Sequence, residues 1–165
     1  MREASTADLD CIGQQLGRRP RDVHAIAYRC QCGQPAVVET EPRLADGTPF
    51  PTFYYATCPR LTGAISTLES SGLMSEMNLR LASDPDLAAS YVRAHNSYIA
   101  DRAALGIVVS EIENISAGGM PDRVKCLHSL VAHSLSVGAG VNPFGDEALA
   151  KLPQWWTEQP CSAVE

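Results

Sequence analysis

The fold is decided by a short stretch near the N-terminal third of the chain, Tyr28-Arg29-Cys30-Gln31-Cys32-Gly33-Gln34-Pro35. Small apolar and β-branched residues flank it on both sides, at positions 23–28 and 36–40, and such segments are typical of β-strands. Gly33 permits the positive φ that a tight turn between two strands often needs. The stretch therefore predicts an antiparallel hairpin whose turn is a Cys-x-Cys knuckle carrying two thiols.

Two further cysteines lie at predicted element boundaries. Cys58 ends a third strand predicted for residues 52–57, and Pro59 after it forces the chain out of the sheet. Cys126 lies within the first two turns of a helix predicted for residues 121–136, where the N-terminal partial charge favours a thiolate. We therefore expect four thiols to meet at one site, namely Cys30, Cys32, Cys58 and Cys126.

Four thiolates suit either a tetrahedral zinc ion or a [4Fe–4S] cluster, and the spacing does not choose between them. Ordinary buried thiols are the alternative interpretation, because free cysteine is among the most buried residue types. Cys11 and Cys161 lie near the ends of the chain, and the pattern gives them no role.

The predicted helix also restricts which histidines can join Cys126. On a helix, His128 would point ~160° away from Cys126 around the axis, and His133 would lie ~10 Å further along it. We therefore expect both histidines outside the ligand set, with His128 as a supporting residue. Arg60, which follows the Cys58-Pro59 step, is a second supporting candidate.

A possible anion site precedes Cys126. Gly118-Gly119-Met120-Pro121 is predicted to open the helix, and Arg123 follows it. The amides of a helix N-terminus can bind phosphate or carboxylate groups, so Gly118, Gly119 and Arg123 are candidate anion-binding residues. A simple turn is the competing interpretation, because a lone Gly-Gly matches neither a Walker loop nor a dinucleotide fingerprint.

The rest of the chain predicts helices, so the expected class is α+β: a small antiparallel sheet packed against several α-helices. Ser5 with Asp8 resembles a capping box, Asp84-Pro85 an N-cap followed by a first-turn proline, and Asn142-Pro143 opens a last short helix. We expect one domain over residues 1–157 and a loose tail over residues 158–165.

Composition limits the possible functions. The 165-residue chain carries a net charge of −6, which disfavours binding to nucleic acid phosphates. No apolar run approaches the ~20 residues of a membrane span, and no secretory h-region is visible, so we expect a cytoplasmic protein. Reduced thiols are the rule in that compartment, which favours metal ligation over disulfides.

Three blocks of the sequence resemble one bacterial family. They are residues 27–35, residues 57–61 and residues 118–128, and the similarity extends from about Leu9 to Trp156. Together they resemble the family called domain of unknown function 501. The resemblance implies a single cytoplasmic domain and supports treating the four cysteines as a set.

Two functions remain open at this point. One is a metal- or cluster-binding protein whose site is structural and which acts by interacting with a protein partner. The other is an iron–sulfur or thiol-dependent enzyme that binds a small anionic ligand at Gly118–Arg123. The first predicts a fully ligated site, whereas the second requires an open coordination position or a nucleophilic thiol.

Overall fold

The computed structural model describes residues 3–20 and 22–162. It confirms the α+β class, and in these ranges no helix is both long and apolar enough to cross a bilayer. The elements in chain order are α1 (Thr6–Leu16), β1 (Val23–Arg29), β2 (Pro35–Thr40), β3 (Tyr54–Ala56), α2 (Pro59–Glu69), α3 (Leu73–Ser83), α4 (Pro85–Ala103), a short 3-10 helix (Ser110–Ile112), α5 (Leu127–Val137) and α6 (Pro143–Lys151).

The predicted hairpin is present and forms two strands of the sheet, with β2 at its centre. The three strands are antiparallel in the order β1-β2-β3, and Val38 pairs with Ile26 on one side and Tyr55 on the other. The turn between β1 and β2 closes through Gly33 N donating to Cys30 O at 2.9 Å, with Gly33 at φ 92°. The two thiols of the knuckle are therefore held by a hydrogen-bonded turn.

The sheet is covered on both faces, which explains why every residue of β2 is buried. On one face, Ile26 and Val38 pack against Ile12 of α1. On the other, Val37 and its neighbours join the large core that is built around α5. Because alternate residues of a strand point to opposite faces, a strand between two layers needs apolar side chains on both.

Helix starts were predicted well where a local capping pattern exists. Ser5 and Asp8 form a complete capping box at α1. Asp84 accepts hydrogen bonds from two amides at the start of α4, and Asn142 accepts one at the start of α6. These side chains satisfy amides that have no partner within their own helix.

The start of α5 was predicted wrongly. The helix begins at Leu127 rather than at residue 121, and Cys126 is its extended N-cap with φ −144°. The preceding residues form a tight loop in which Gly118 O accepts hydrogen bonds from the amides of Lys125 and Cys126. A Cβ on Gly119 would lie 2.6 Å from Arg123 O, so the loop requires glycine at that position.

The C-terminal segment returns to the hairpin turn. Gln34 donates to Ser162 O at 3.0 Å and accepts from Ser162 N at 3.0 Å, and Cys161 beside it is buried. A long-range side-chain contact therefore fixes residues 161 and 162, whereas the sequence predicted a loose tail over residues 158–165. Residues 163–165 of that predicted tail lie outside the described residues.

Candidate functional site

Three thiols from distant parts of the sequence lie together beside the hairpin turn. The Sγ atoms of Cys30, Cys32 and Cys161 are all within 4.8 Å of one another, and those of Cys30 and Cys161 are 3.6 Å apart. Cys30 and Cys161 are buried, whereas Cys32 is half-buried. This three-cysteine group, called here the thiol cluster, could hold a metal ion.

Cys58 lies at the edge of the thiol cluster. It is fully buried at the N-cap of α2, and after burial and the two other thiols it helps to raise the pKa of Cys161. The amide of Thr57 donates to Ala36 O at 2.9 Å, so the β2–β3 pairing holds the end of β3 beside the hairpin. Cys58 therefore lies beside the cluster, but its Sγ is not one of the three that are within 4.8 Å of one another.

The environment shifts the pKa values of the three cluster thiols in different directions. Burial raises the pKa of Cys30, and burial together with the neighbouring thiols raises the pKa of Cys161. Burial also acts to raise the pKa of Cys32, but hydrogen bonds from the amides of Gln34 and Cys161 outweigh it, so that the pKa is lowered. The environment thus favours a negative charge on one sulfur of the group.

Cys126 does not join this group in the described part of the chain. Its Sγ lies instead with a carboxylate oxygen of Glu69 and a ring nitrogen of His128, all three atoms being within 4.8 Å of one another. The expectation of one site containing Cys126 and excluding Cys161 is therefore corrected. The expected separation of His128 from Cys126 is also wrong, since it assumed that both residues were helical.

The second group is fixed by hydrogen bonds around its rim. His128 Nδ1 lies 3.2 Å from Glu69 Oε1, and His128 Nε2 lies 3.1 Å from Thr62 O. The other carboxylate oxygen, Glu69 Oε2, accepts a hydrogen bond from Leu127 N at 2.8 Å. Glu69 therefore binds the N-terminus of α5, where a carboxylate is favoured.

The neighbouring groups stabilise the ionised forms of His128 and Cys126. The hydrogen bond to Cys126, and after it the charge of Glu69, raises the pKa of His128 to about 9 in spite of burial. Burial acts to raise the pKa of Cys126, but hydrogen bonds from His128 and Ser129 outweigh it and lower the pKa. At neutral pH the histidine is therefore cationic, beside a thiol that ionises more readily than usual.

The sequence matches one known protein family over most of its length. The family model described as "Protein of unknown function (DUF501)" matches residues 26–150. The chain belongs to this family. No curated protein and no solved structure matches it. The DUF501 match includes the knuckle cysteines and Cys126, whereas Cys161 lies beyond the matched range.

The anion site predicted for this DUF501 chain does not form as a helix N-terminus. Asp122 N and Arg123 N both donate to Gly119 O, at 3.1 and 3.0 Å, so those amides are used within the loop. The side chains of Arg123 and Arg60 are exposed. The helix N-terminus that does exist, at Leu127, already binds Glu69.

His133 lies outside both groups, as the sequence predicted. It is fully buried in the core, where Asn142 Nδ2 donates to its Nδ1 at 3.1 Å and Tyr54 stacks on its ring. No role was predicted for Cys161 or for Glu69 from the sequence. Their participation depends on contacts across more than fifty residues, for which the local sequence carries no signal.

Proposed function

We propose that the protein binds one zinc ion through Cys30, Cys32, Cys161 and Cys58, and that this ion has a structural role. The observation that carries the proposal is the convergence of three Sγ atoms within 4.8 Å. They come from the end of β1, the turn and the C-terminal segment, so an ion there would join parts of the chain that are far apart in sequence. Cys58 is the fourth ligand because it is fully buried beside the hairpin, where Cys58 N donates to Ala36 O at 3.5 Å, and because its thiol affects the pKa of Cys161.

Zinc fits this separation better than an iron–sulfur cluster. Two thiolates bound to one tetrahedral zinc at about 2.3 Å lie about 3.8 Å apart. The Cys30–Cys161 distance of 3.6 Å is close to that value. A [4Fe–4S] cluster would insert iron and sulfide between the thiolates and hold them further apart. A mononuclear site is therefore the better match.

A structural role follows from the ligand set and the burial. Four cysteines fill a tetrahedral zinc, which leaves no position for substrate. Three of the four side chains belong to residues that are at most 9% exposed, namely Cys30, Cys58 and Cys161. Thiolate ligation requires reduced cysteines, so we place the protein in the cytosol, and we propose that the stabilised domain acts by binding a protein partner.

The test compares Cys161→Ser with Cys11→Ser. Cys11 is also buried and contacts Ser162 beside the cluster, but it is not a member of the group, so it is a matched control. Cys161→Ser should lose one equivalent of zinc per chain relative to wild type and should unfold at a lower temperature, because metal-binding energy contributes to folding. Cys11→Ser should keep its zinc.

Two results would overturn the proposal. One is a Cys161→Ser variant that retains the zinc content of wild type. The other is a brown protein containing iron and sulfide after anaerobic purification, which would indicate a cluster at this position. Metal content by mass spectrometry and the visible absorption spectrum distinguish these cases.

A further inference from the structure

We propose that Glu69, Cys126 and His128 form a second zinc site, separate from the thiol cluster, in which one coordination position is open to a cavity. The proposal does not depend on the first site. It rests on three potential ligand atoms of different types that are within 4.8 Å of one another. They come from the last residue of α2, the N-cap of α5 and the first turn of α5.

Hydrogen bonds hold His128 and Glu69 by their other polar atoms. His128 Nε2 donates to Thr62 O, so Nδ1, which lies 3.2 Å from Glu69 Oε1, is the ring nitrogen that would bind an ion once it has lost its proton. Metal-binding histidines typically donate their second ring nitrogen to a carbonyl or carboxylate in this way. Glu69 Oε2 is held by Leu127 N, which leaves Oε1 for an ion.

The charge at this point suits a divalent cation. A thiolate and a carboxylate carry two negative charges, and zinc would neutralise both while a neutral imidazole completes the set. Without an ion, a proton on His128 partly fills that role, in agreement with the raised pKa of His128. Zinc binding would release this proton together with the thiol proton of Cys126.

The open position follows from the number of ligands and from the cavity beside them. Three protein ligands leave the fourth tetrahedral position to water or to a bound molecule, as in catalytic zinc sites. Cys126 and His128 line a cavity of about 510 Å³. The hydroxyl of Thr57 also lines it, and this side chain, in a residue only 2% exposed, has no hydrogen-bond partner among the described residues.

That unpartnered hydroxyl is an independent indication of a polar ligand. Buried hydroxyl groups normally have a hydrogen-bond partner, and leaving one without costs free energy. Thr62 and Ser129 add further hydroxyl groups to the cavity wall. A small anion with oxygen or nitrogen donors would therefore fit the open zinc position and the hydroxyl groups around it.

Zinc stoichiometry tests the site itself. The zinc-loaded wild type should contain one equivalent more than Cys126→Ser and one more than Glu69→Gln. Tyr55→Phe is the control, because Tyr55 lines the same cavity but contributes no proposed ligand. If Cys161→Ser loses one equivalent and Cys126→Ser loses none, the second site is overturned while the first stands, and the reverse pattern overturns only the first.

Cysteine protection provides a second test that does not require a variant to fold. Zinc should slow the alkylation of Cys126 by iodoacetamide in the wild-type protein, as measured by peptide mass spectrometry. Equal alkylation rates of Cys126 with and without zinc would show that the thiol is not a ligand and would overturn the proposal.

The open position is tested with cobalt in place of zinc. Adding azide to the cobalt-loaded wild type should change the visible absorption bands, because the anion enters the coordination sphere. The change should be absent in Cys126→Ser and present in Tyr55→Phe. An azide-insensitive spectrum in the wild type would show a closed site and would overturn the proposal of an open position.

Discussion

The ion pair between Asp8 and Arg29 ties α1 to the strand that ends at the thiol cluster. Arg29 immediately precedes Cys30, and its guanidinium contacts both carboxylate oxygens of Asp8, at 2.9 and 2.8 Å. Asp8 also accepts a hydrogen bond from Ser5 N at 3.0 Å in the capping box. Asp8→Asn should therefore destabilise the protein by removing a charge that two partners bind.

The magnitude follows from the pKa of Asp8. The hydrogen bond to Arg29, the largest cause, lowers that pKa from 3.8 to about 2. A difference of about 1.8 pKa units corresponds to about 2.4 kcal/mol. Because the Arg29 side chain is 42% exposed, solvent screens the pair, and we expect about 1–2 kcal/mol.

The sign of the pH dependence is set by the lowered pKa. The unfolded chain binds a proton at Asp8 below about pH 3.8, whereas the folded chain binds it only near pH 2. The stabilisation is therefore fully present above pH 3.8 and is lost as the pH falls through 2. The difference between wild type and Asp8→Asn should be largest at neutral pH and should shrink toward about pH 2.

Urea unfolding followed by circular dichroism measures this difference at each pH. Asp10→Asn is the matched control, because Asp10 is an exposed residue of the same helix and its substitution changes the net charge equally. Loss of a bound metal at low pH would change the stability of both variants equally, so it does not affect the difference between them at the same pH. The reasoning would be refuted if wild type and Asp8→Asn had the same free energy of unfolding at neutral pH, or if Asp10→Asn lowered it equally. It would also be refuted if the difference between wild type and Asp8→Asn stayed the same at about pH 2.

Two further predictions concern the core around α5. Gly145→Ala should lower stability by about 1–3 kcal/mol in thermal or urea unfolding, because the added Cβ would overlap Leu130 O and Ser134 Oγ where α6 meets α5. Gly63→Ala, in open space on α2, should instead raise stability by up to about 1 kcal/mol; equal effects would contradict this account of Gly145. Burial lowers the pKa of His133 to about 4, so protons destabilise the folded chain as the pH falls below the pKa of a histidine in the unfolded chain. Between pH 7 and about pH 5 the free energy of unfolding of the wild type should therefore fall by about 2 kcal/mol more than that of His133→Asn. Urea unfolding at each pH measures both values, and an equal fall in the two proteins would rule this out.

The parts of the fold that the sequence predicted are those with a local cause. The hairpin follows from two apolar segments around a glycine-containing turn, and the start of α4 follows from Asp84 and the proline after it. The first residue of α5 has no such local cause. It depends on the closed loop before Cys126 and on the bond between Glu69 and Leu127 N, so the sequence placed it six residues too early.

The same error affected the expected surroundings of Cys126. On a helix, Cys126 and His128 would diverge, but the extended N-cap brings them together, and Cys126 then belongs with Glu69. Cys161 reaches the hairpin because Gln34 binds Ser162 across 128 positions of sequence. Patterns of spacing within a few residues carry no information about contacts of that range.

One helix connects the two groups. Cys58 is the N-cap of α2 and Glu69 is its last residue, so their backbones lie about 16 Å apart along the axis. The side chain of Glu69 reaches the N-terminus of α5, whereas Cys58 is buried beside the thiol cluster. An ion bound at either group would therefore position one end of α2, and the two ions would act on the same rigid element without sharing a ligand.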